Sequence, residues 1–230
     1  MGIMAEDKIK VIYEDGDLVV VDKPAGWVTS RENKKRDQRY LEDWVRKAYP
    51  NHLPRGGIVH RLDKGTSGTV MVAKNRTAWD SLRRQLRNRE VRKSYLALVV
   101  GEVAAVGGVE MPIVRSKHRF ARWQVGVGGK KAKTSFKVIK KYRDKEKILS
   151  LVEVETETGR THQIRVHFNF LGWSLLGDEQ YSRGEVLRIG RVFLHASQIV
   201  FKLPTSGRRI RLKSNLPADL VQILAKYEMV

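Results

Sequence analysis

The chain has 230 residues, and its 45 lysines and arginines outnumber 25 acidic residues, which gives a formal net charge of +20 at pH 7. Hydrophobic residues make up 41% of the chain, enough to build a packed core. Cysteine is absent, so a disulfide scaffold, a thiolate metal site and a cysteine nucleophile are excluded, as is typical of a reducing cytoplasm. No stretch approaches the roughly 18 apolar residues of a membrane helix, and no secretory signal is recognisable. We therefore expect a cytoplasmic, cationic, globular protein with no membrane segment.

Taken in chain order, the hydrophobic pattern predicts many strands and few helices. A β-hairpin is predicted at 11–22, with its turn at Asp15-Gly16, and a helix at 40–48. Further strands are predicted at 69–74, 94–102, 133–142, 148–158 and 192–203, and further helices from Asn75, from Thr161 to Gly172 and from Pro217. Because most strands follow one another without a helix, this order predicts an α+β fold around a largely antiparallel sheet.

The excess of positive charge is concentrated in three segments, at 83–93, 115–147 and 202–213. The second segment also contains Phe120 and Trp123, and aromatic rings among cations suit stacked bases along a phosphate backbone. An anionic membrane surface is the alternative partner, but no basic helix with a large apolar face is predicted. The pattern therefore favours a nucleic acid, while charge alone does not indicate what is done to it.

The densest cluster of reactive side chains is the segment HRLDKGTSG at 60–68, which precedes a predicted buried strand. Loops held by a rigid strand are a common place for catalytic groups. Asp63 stands close to Arg61 and Lys64, and these cations favour its ionised form, as a nucleophile or a metal ligand requires. A plain salt bridge within the loop is the alternative, and the residues alone leave it open.

A second cluster, TGRTHQIRVH at 158–167, holds two arginines and two histidines, which are costly to bury without partners. On the predicted helix, His162 and Arg165 are three residues apart and are expected to share a face. A histidine pair for a metal ion has the wrong spacing here and lacks a completing cysteine or carboxylate. Tyr95, in the predicted strand of RKSYLALVVG at 92–101, is a third candidate, with an ordinary strand tyrosine as the alternative.

Together these segments resemble the RluA-type RNA pseudouridine synthases, whose motif HRLDxxTSG is similar to residues 60–68. The resemblance continues in the family's order through EDGDLVVVDKPAG (14–26), VRKSYLALVVGEV (91–103), GGKKAKTSF (128–136), ETGRTHQIRVHFNFLGWSLLGDEQY (157–181) and RVFLHASQIVF (191–201). It implies the pseudouridine-synthase catalytic fold, a bent, mixed, mainly antiparallel sheet with flanking helices and a central cleft. It also implies isomerisation of a flipped-out uridine in structured tRNA or rRNA, without a metal, a redox cofactor or ATP.

The same resemblance implies roles for individual side chains. Asp63 matches the catalytic aspartate, Arg165 the basic residue that pairs with it, and Tyr95 the active-site tyrosine expected to stack on the target base. The candidates for RNA or base contact are Arg61 in the space left by the flipped nucleotide, Ile164 against the base, Arg160 and His162 in supporting or RNA-contacting positions, and Lys23 at a phosphate.

The sequence begins almost directly at the family's catalytic pattern, without the small N-terminal RNA-binding domain of many relatives. We therefore expect one catalytic domain over 1–230, with 1–10 as an N-terminal extension, that acts as a monomer and binds RNA itself or through another protein. A non-catalytic RNA chaperone on the same fold is the first alternative. A metal-dependent nuclease using Asp63 is the second, and the sequence offers it no second cluster of acidic ligands.

Overall fold

The computed structural model of the chain describes residues 9–31, 38–116, 122–182 and 187–230. Phe120, the predicted stacking residue, lies outside these ranges. Within them, the helices are α1 (Leu41–Ala48), α2 (Arg76–Arg87), α3 (Gln163–Phe170) and α4 (Ala218–Leu224). The strands are β1 (Lys10–Glu14), β2 (Leu18–Lys23), β3 (Ser67–Ala73), β4 (Arg92–Val100), β5 (Val106–Glu110), β6 (Ile113–Arg115), β7 (Trp123–Val125), β8 (Lys133–Asp144), β9 (Lys147–Thr156), β10 (Ser174–Leu175), β11 (Leu194–Lys202), β12 (Arg209–Lys213) and β13 (Glu228–Met229).

These elements confirm the predicted α+β fold with a mainly antiparallel sheet. The predicted hairpin is present as β1 and β2, the first predicted helix as α1, and the buried strand as β3, all of whose residues are buried. Among the described residues, no helix is both long and apolar enough to cross a membrane.

The chain packs into two compact units. The first comprises residues 1–92 and 196–215, and the second comprises residues 93–195 and 216–230. The expectation of one catalytic domain over the whole chain stays a prediction.

In the first unit, β2 lies between β1 and β3, β11 follows β3, and β12 pairs with β11. Helix α2 begins as predicted, because the Asn75 side chain accepts a hydrogen bond from the Ala78 N–H at 2.9 Å. Its buried residues Ala78 and Leu82 pack on the sheet. This core also contains Leu18, Val20, Leu53, Val59, Met71, Ala73, Val91, Ile199, Phe201 and Leu203. The arginines of α2 are therefore left on its outer side.

In the second unit, the strand order is β4-β9-β8-β13, with β10 paired on β4 and β5 on β8. Helix α3 packs Ile164 and Phe168 against the inner residues of β4 and β9. The buried residues of this core are Ala97, Val99, Val103, Phe136, Val152, Val154, Ile164, Phe168, Leu175, Val192 and Leu194. The two candidate segments around Tyr95 and Arg165 thus share one hydrophobic core.

The predicted start of α3 is wrong in one respect. The helix begins at Gln163, after His162, rather than at a Thr161 cap, and His162 adopts a left-handed backbone conformation with φ of 55°. Because His162 lies outside the helix, it does not share a helical face with Arg165 as the sequence suggested. The predicted stop is confirmed by Gly172, whose φ of 93° ends the helix in the conformation that glycine favours.

Candidate active site

The loop that carries Asp63 is clamped to its own unit on either side of the carboxylate. The Thr29 hydroxyl donates to the Leu62 carbonyl at 2.7 Å and accepts from the Leu62 N–H at 3.1 Å. Before this, His60 Nε2 accepts the Met71 N–H of β3 at 3.0 Å. Leu62 is buried, so Asp63 follows a residue that is fixed both by packing and by hydrogen bonds. The half-buried carboxylate therefore stands on a rigid segment, as catalysis by a positioned group requires.

Beyond Asp63, a tight turn returns the chain to β3. The Thr66 N–H donates to the Asp63 carbonyl at 3.0 Å, and Gly68 follows with φ of 119°. A Cβ at Gly68 would lie 2.3 Å from the Ala196 carbonyl oxygen, so only glycine fits here. Arg61, on the other side of Leu62, is exposed.

The structure contradicts the prediction that Lys23 contacts a phosphate. Its side chain is fully buried, and its ammonium donates to the carbonyls of Pro24 at 2.9 Å and Trp27 at 2.8 Å. The same turn is tied to the loop that carries Asp63, because the Gly26 N–H donates to the Lys64 carbonyl at 2.7 Å. Lys23 therefore stabilises the turn that supports the Asp63 loop, and burial keeps it from RNA.

Arg165, on α3, is held by a bidentate ion pair with Asp178. Its Nε and one terminal nitrogen donate to the two carboxylate oxygens at 2.7 and 2.8 Å, and the same terminal nitrogen donates to Gln180 at 3.0 Å. Only 11% of the Arg165 side chain and 1% of the Asp178 side chain is exposed. The guanidinium also lies over the Tyr181 ring, 4.8 Å from its centroid. These contacts fix the plane of the guanidinium.

His162 and Tyr181 form a second supporting contact beside this arginine. The Tyr181 hydroxyl accepts the Trp123 N–H at 3.0 Å and lies 2.8 Å from His162 Nδ1. This contact compensates for the left-handed backbone of His162, which non-glycine residues seldom adopt.

Gln163 joins the loop before α3 to strand β8. Its side-chain oxygen accepts from the Thr158 hydroxyl at 2.6 Å and from the Arg160 N–H at 3.1 Å. Its side-chain nitrogen donates to the Lys133 carbonyl and to the Thr134 hydroxyl, each at 3.0 Å. All of the hydrogen-bonding capacity of this buried amide is used, so the backbone of Arg160 is fixed while its side chain reaches the Lys131 carbonyl at 3.0 Å.

Tyr95 and Ile164 meet in the core of the second unit. Tyr95 is half-buried on β4, where it pairs with Val154 of β9, and its ring packs against the cluster that contains buried Ile164. The structure therefore brings Tyr95, Ile164 and the Arg165 helix together, while Asp63 and Arg61 lie in the first unit.

Sequence reasoning missed Asp178 and Gln163 as residues of this site. Both stand inside the 157–181 segment that resembles the family, so the signal was present, but no local pattern distinguishes them from ordinary polar residues. Among the described residues, no group of three or more His, Cys, Asp or Glu side chains could hold a metal ion.

The supported carboxylate of Asp63 in the first unit, and the half-buried Tyr95 and oriented Arg165 in the second, are the candidate catalytic side chains of this α+β fold. Residues 17–170 match the family described as RNA pseudouridylate synthase, and the chain belongs to this family. It is 39% identical to ribosomal large subunit pseudouridine synthase D of Nitrosomonas europaea, over 94% of this chain and 64% of that protein. It is 35% identical to the uncharacterized RNA pseudouridine synthase YlyB of Bacillus subtilis, over 97% of this chain and 75% of that protein. The chain thus spans about two thirds to three quarters of the length of these relatives.

Among solved structures, human RNA pseudouridylate synthase domain containing 1 has the same fold. Its TM-score is 0.78 at 28% identity, and the match covers 100% of this chain and 92% of that one. Human RNA pseudouridylate synthase domain containing 4, with a TM-score of 0.72 at 24% identity, adds support for the fold.

Proposed function

We propose that this chain isomerises uridine to pseudouridine in RNA, with Asp63 as the reacting carboxylate. The observation that carries the proposal is the family match over 17–170 together with Asp63 in a loop clamped by Thr29 and His60. In this reaction the bond between uracil N1 and ribose C1′ breaks, and a bond forms between C5 and C1′. The C5 proton is lost and N1 gains one, so the product is an isomer of the substrate.

The roles proposed for the other side chains follow from their surroundings. Tyr95 and Ile164 offer an aromatic and an apolar surface to a flipped-out uracil. Arg165, held in orientation by Asp178, is proposed to pair with the Asp63 carboxylate during the reaction. Exposed Arg61 is proposed to occupy the space that the flipped nucleotide leaves.

Ribosomal RNA of the large subunit is the proposed substrate, because relatives from Nitrosomonas europaea and Vibrio cholerae carry that target in their names. The proposed location is accordingly the cytoplasm, where ribosomes are made in bacteria. We propose a monomer as the working form.

Release of tritium from RNA labelled at uridine C5 tests the activity. With a large-subunit rRNA transcript in EDTA, the wild type is expected to release tritium, and Asp63→Asn is expected to lose at least about a thousand-fold in rate. Asp80→Asn is the matched control, since it removes an equal charge from an exposed residue of α2 that pairs with Arg76. No release from rRNA or tRNA transcripts would favour the non-catalytic RNA-binding alternative, and EDTA-sensitive strand cleavage would favour a nuclease.

A further inference from the structure

Lys93 stands out in the second unit as a half-buried lysine without a partner. Among the described residues, no acceptor or carboxylate forms a hydrogen bond or an ion pair with its ammonium. By contrast, other lysines of the unit, including Lys133, Lys137 and Lys141, pair with glutamates. Desolvation by burial lowers the pKa of Lys93 to about 8, with no neighbouring charge contributing. Taking a cation out of water in this way carries a cost that nothing in the described structure offsets.

The position of Lys93 relates it to the candidate active site. Lys93 and Tyr95 are two residues apart on β4, so their side chains lie on the same face of the strand, about 7 Å apart along it. That face carries Tyr95 onto the core that contains Ile164. A group bound at the Lys93 ammonium would therefore lie within about one nucleotide's length of a base stacked on Tyr95.

The ammonium also lies against a part of the surface that has no side chain. A Cβ built at Gly159 would be 3.4 Å from Lys93 Nζ, and Gly159 itself is exposed. On either side of Gly159, the Thr158 hydroxyl and the Arg160 backbone N–H both donate to the Gln163 side-chain oxygen, which holds this segment in place. Glycine therefore places no side chain beside the ammonium at this exposed position, whereas a Cβ at position 159 would contact Nζ.

We propose that Lys93 binds a backbone phosphate of the substrate RNA next to the target uridine and so positions the uridine over Tyr95. The proposal rests on the proposed function. Phosphate is the anion that RNA presents along its whole length, and an ammonium binds it as a compact point charge. The ligand would restore to Lys93 the ionic partner that the described residues do not supply.

Two measurements on the same large-subunit rRNA transcript test this: filter binding over a range of salt concentrations, and tritium release. Lys93→Met is expected to raise both Kd and KM about ten-fold with kcat changed much less. It is also expected to reduce the slope of log affinity against log salt by about one. Lys93→Arg is expected to keep the salt slope of the wild type, because it keeps the charge. Lys226→Met, which removes one exposed positive charge from the same unit, is the matched control and should leave the slope nearly unchanged.

The outcomes separate the inference from the function on which it rests. If the wild type releases tritium and Lys93→Met binds and turns over RNA as the wild type does, the phosphate site is wrong. If kcat falls in both Lys93→Met and Lys93→Arg at an unchanged salt slope, Lys93 has a structural role instead. If the wild type binds RNA without any tritium release, the proposed function fails, and the salt slope of Lys93→Met still tests the phosphate contact. Thermal unfolding confirms that each variant is folded, and Lys93→Gln replaces Lys93→Met if that variant unfolds.

Discussion

At the scale of single residues, Asp178 determines the orientation of the Arg165 guanidinium. One oxygen of its carboxylate accepts from Arg165 and from the backbone N–H groups of Gln180 and Tyr181, and the other accepts from Arg165 Nε. An arginine on a helix has many rotamers, and this saturated carboxylate selects one of them. Because both side chains are nearly enclosed, the pair holds the guanidinium in one orientation more firmly than an exposed ion pair would.

We expect Asp178→Asn to lower kcat for tritium release about a hundred-fold while RNA affinity changes little, because the guanidinium loses its orientation and not its charge. The variant is also expected to lose about 3 kcal/mol of unfolding free energy, since a buried arginine is left without its carboxylate. Chemical denaturation and the separate kcat and KM values check the two effects. Asp219→Asn breaks a similar bidentate pair with Arg191 in which the aspartate is 55% exposed. It should affect both quantities far less, and equal effects would show that Asp178 has no special part in catalysis.

At the scale of elements, a chain of hydrogen bonds joins α3 to β8. Gln163 donates to the Thr134 hydroxyl, which lies 2.8 Å from His167 Nδ1, and His167 Nε2 lies 3.0 Å from the Met111 carbonyl. A carbonyl only accepts, so Nε2 carries the proton, and the neutral ring accepts from Thr134 at Nδ1. Protonation of Nδ1 would force the Thr134 hydroxyl to turn from donor to acceptor in this contact and would place a charge on a ring that is fully buried.

Stability is therefore expected to depend on pH through His167. Burial lowers the pKa of His167 below its ordinary value of 6.5. As the pH falls, the unfolded chain takes up this proton first, so the stabilisation is complete above about pH 6.5 and is lost as the pH falls through the lower pKa of the folded state. Denaturant titrations between pH 8 and pH 5 should show a smaller loss of unfolding free energy in His167→Gln than in the wild type. Exposed His52→Gln is the control, and an equal effect of both substitutions would contradict the assignment.

The elements themselves were largely predictable from sequence, because hydrophobic spacing and capping residues act locally. The Asn75 cap and the apolar stripe of α2 show this directly. The left-handed His162 was not predictable, since its backbone is stabilised by Tyr181 from elsewhere in the chain. The burial of Lys23 was not predictable either, because a turn of backbone carbonyls supplies its partners and leaves no pattern in the sequence. Family resemblance indicated Asp63, Tyr95 and Arg165, and their proposed roles stay predictions.

At the scale of the whole molecule, the chain has a net charge of +20. The lysines and arginines behind this charge differ in whether they form ion pairs with acidic side chains. On β8, Lys133, Lys137 and Lys141 each form an ion pair with a glutamate. The exposed arginines of α2 include Arg83 and Arg84, and the apolar side of the helix packs on the core of the first unit. When exposed cations of a protein neutralise RNA phosphates, the counterions condensed on the RNA are released, and cations without a carboxylate partner are the most available for this.

We expect this helix to bind RNA outside the reacting nucleotide. The triple variant Arg83→Gln, Arg84→Gln and Arg87→Gln should weaken RNA binding and lower the slope of log affinity against log salt by about two to three. Its kcat at saturating RNA should stay near that of the wild type, because these side chains hold the backbone and not the reacting uridine. Filter binding over 50 to 300 mM salt, on the order of the physiological range, measures the slope.

The matched control removes the same number of charges from the three paired lysines of β8, through Lys133→Gln, Lys137→Gln and Lys141→Gln. Both triple variants lower the net charge from +20 to +17, by subtracting three, so a general attraction between protein and RNA predicts equal losses of affinity. A docking surface on α2 predicts a large loss only for the arginine variant. Equal losses would therefore assign the charge to long-range attraction. A loss confined to the arginine variant would show that α2 is part of the RNA-binding surface. The choice of the target uridine would then depend in part on where the surrounding RNA binds.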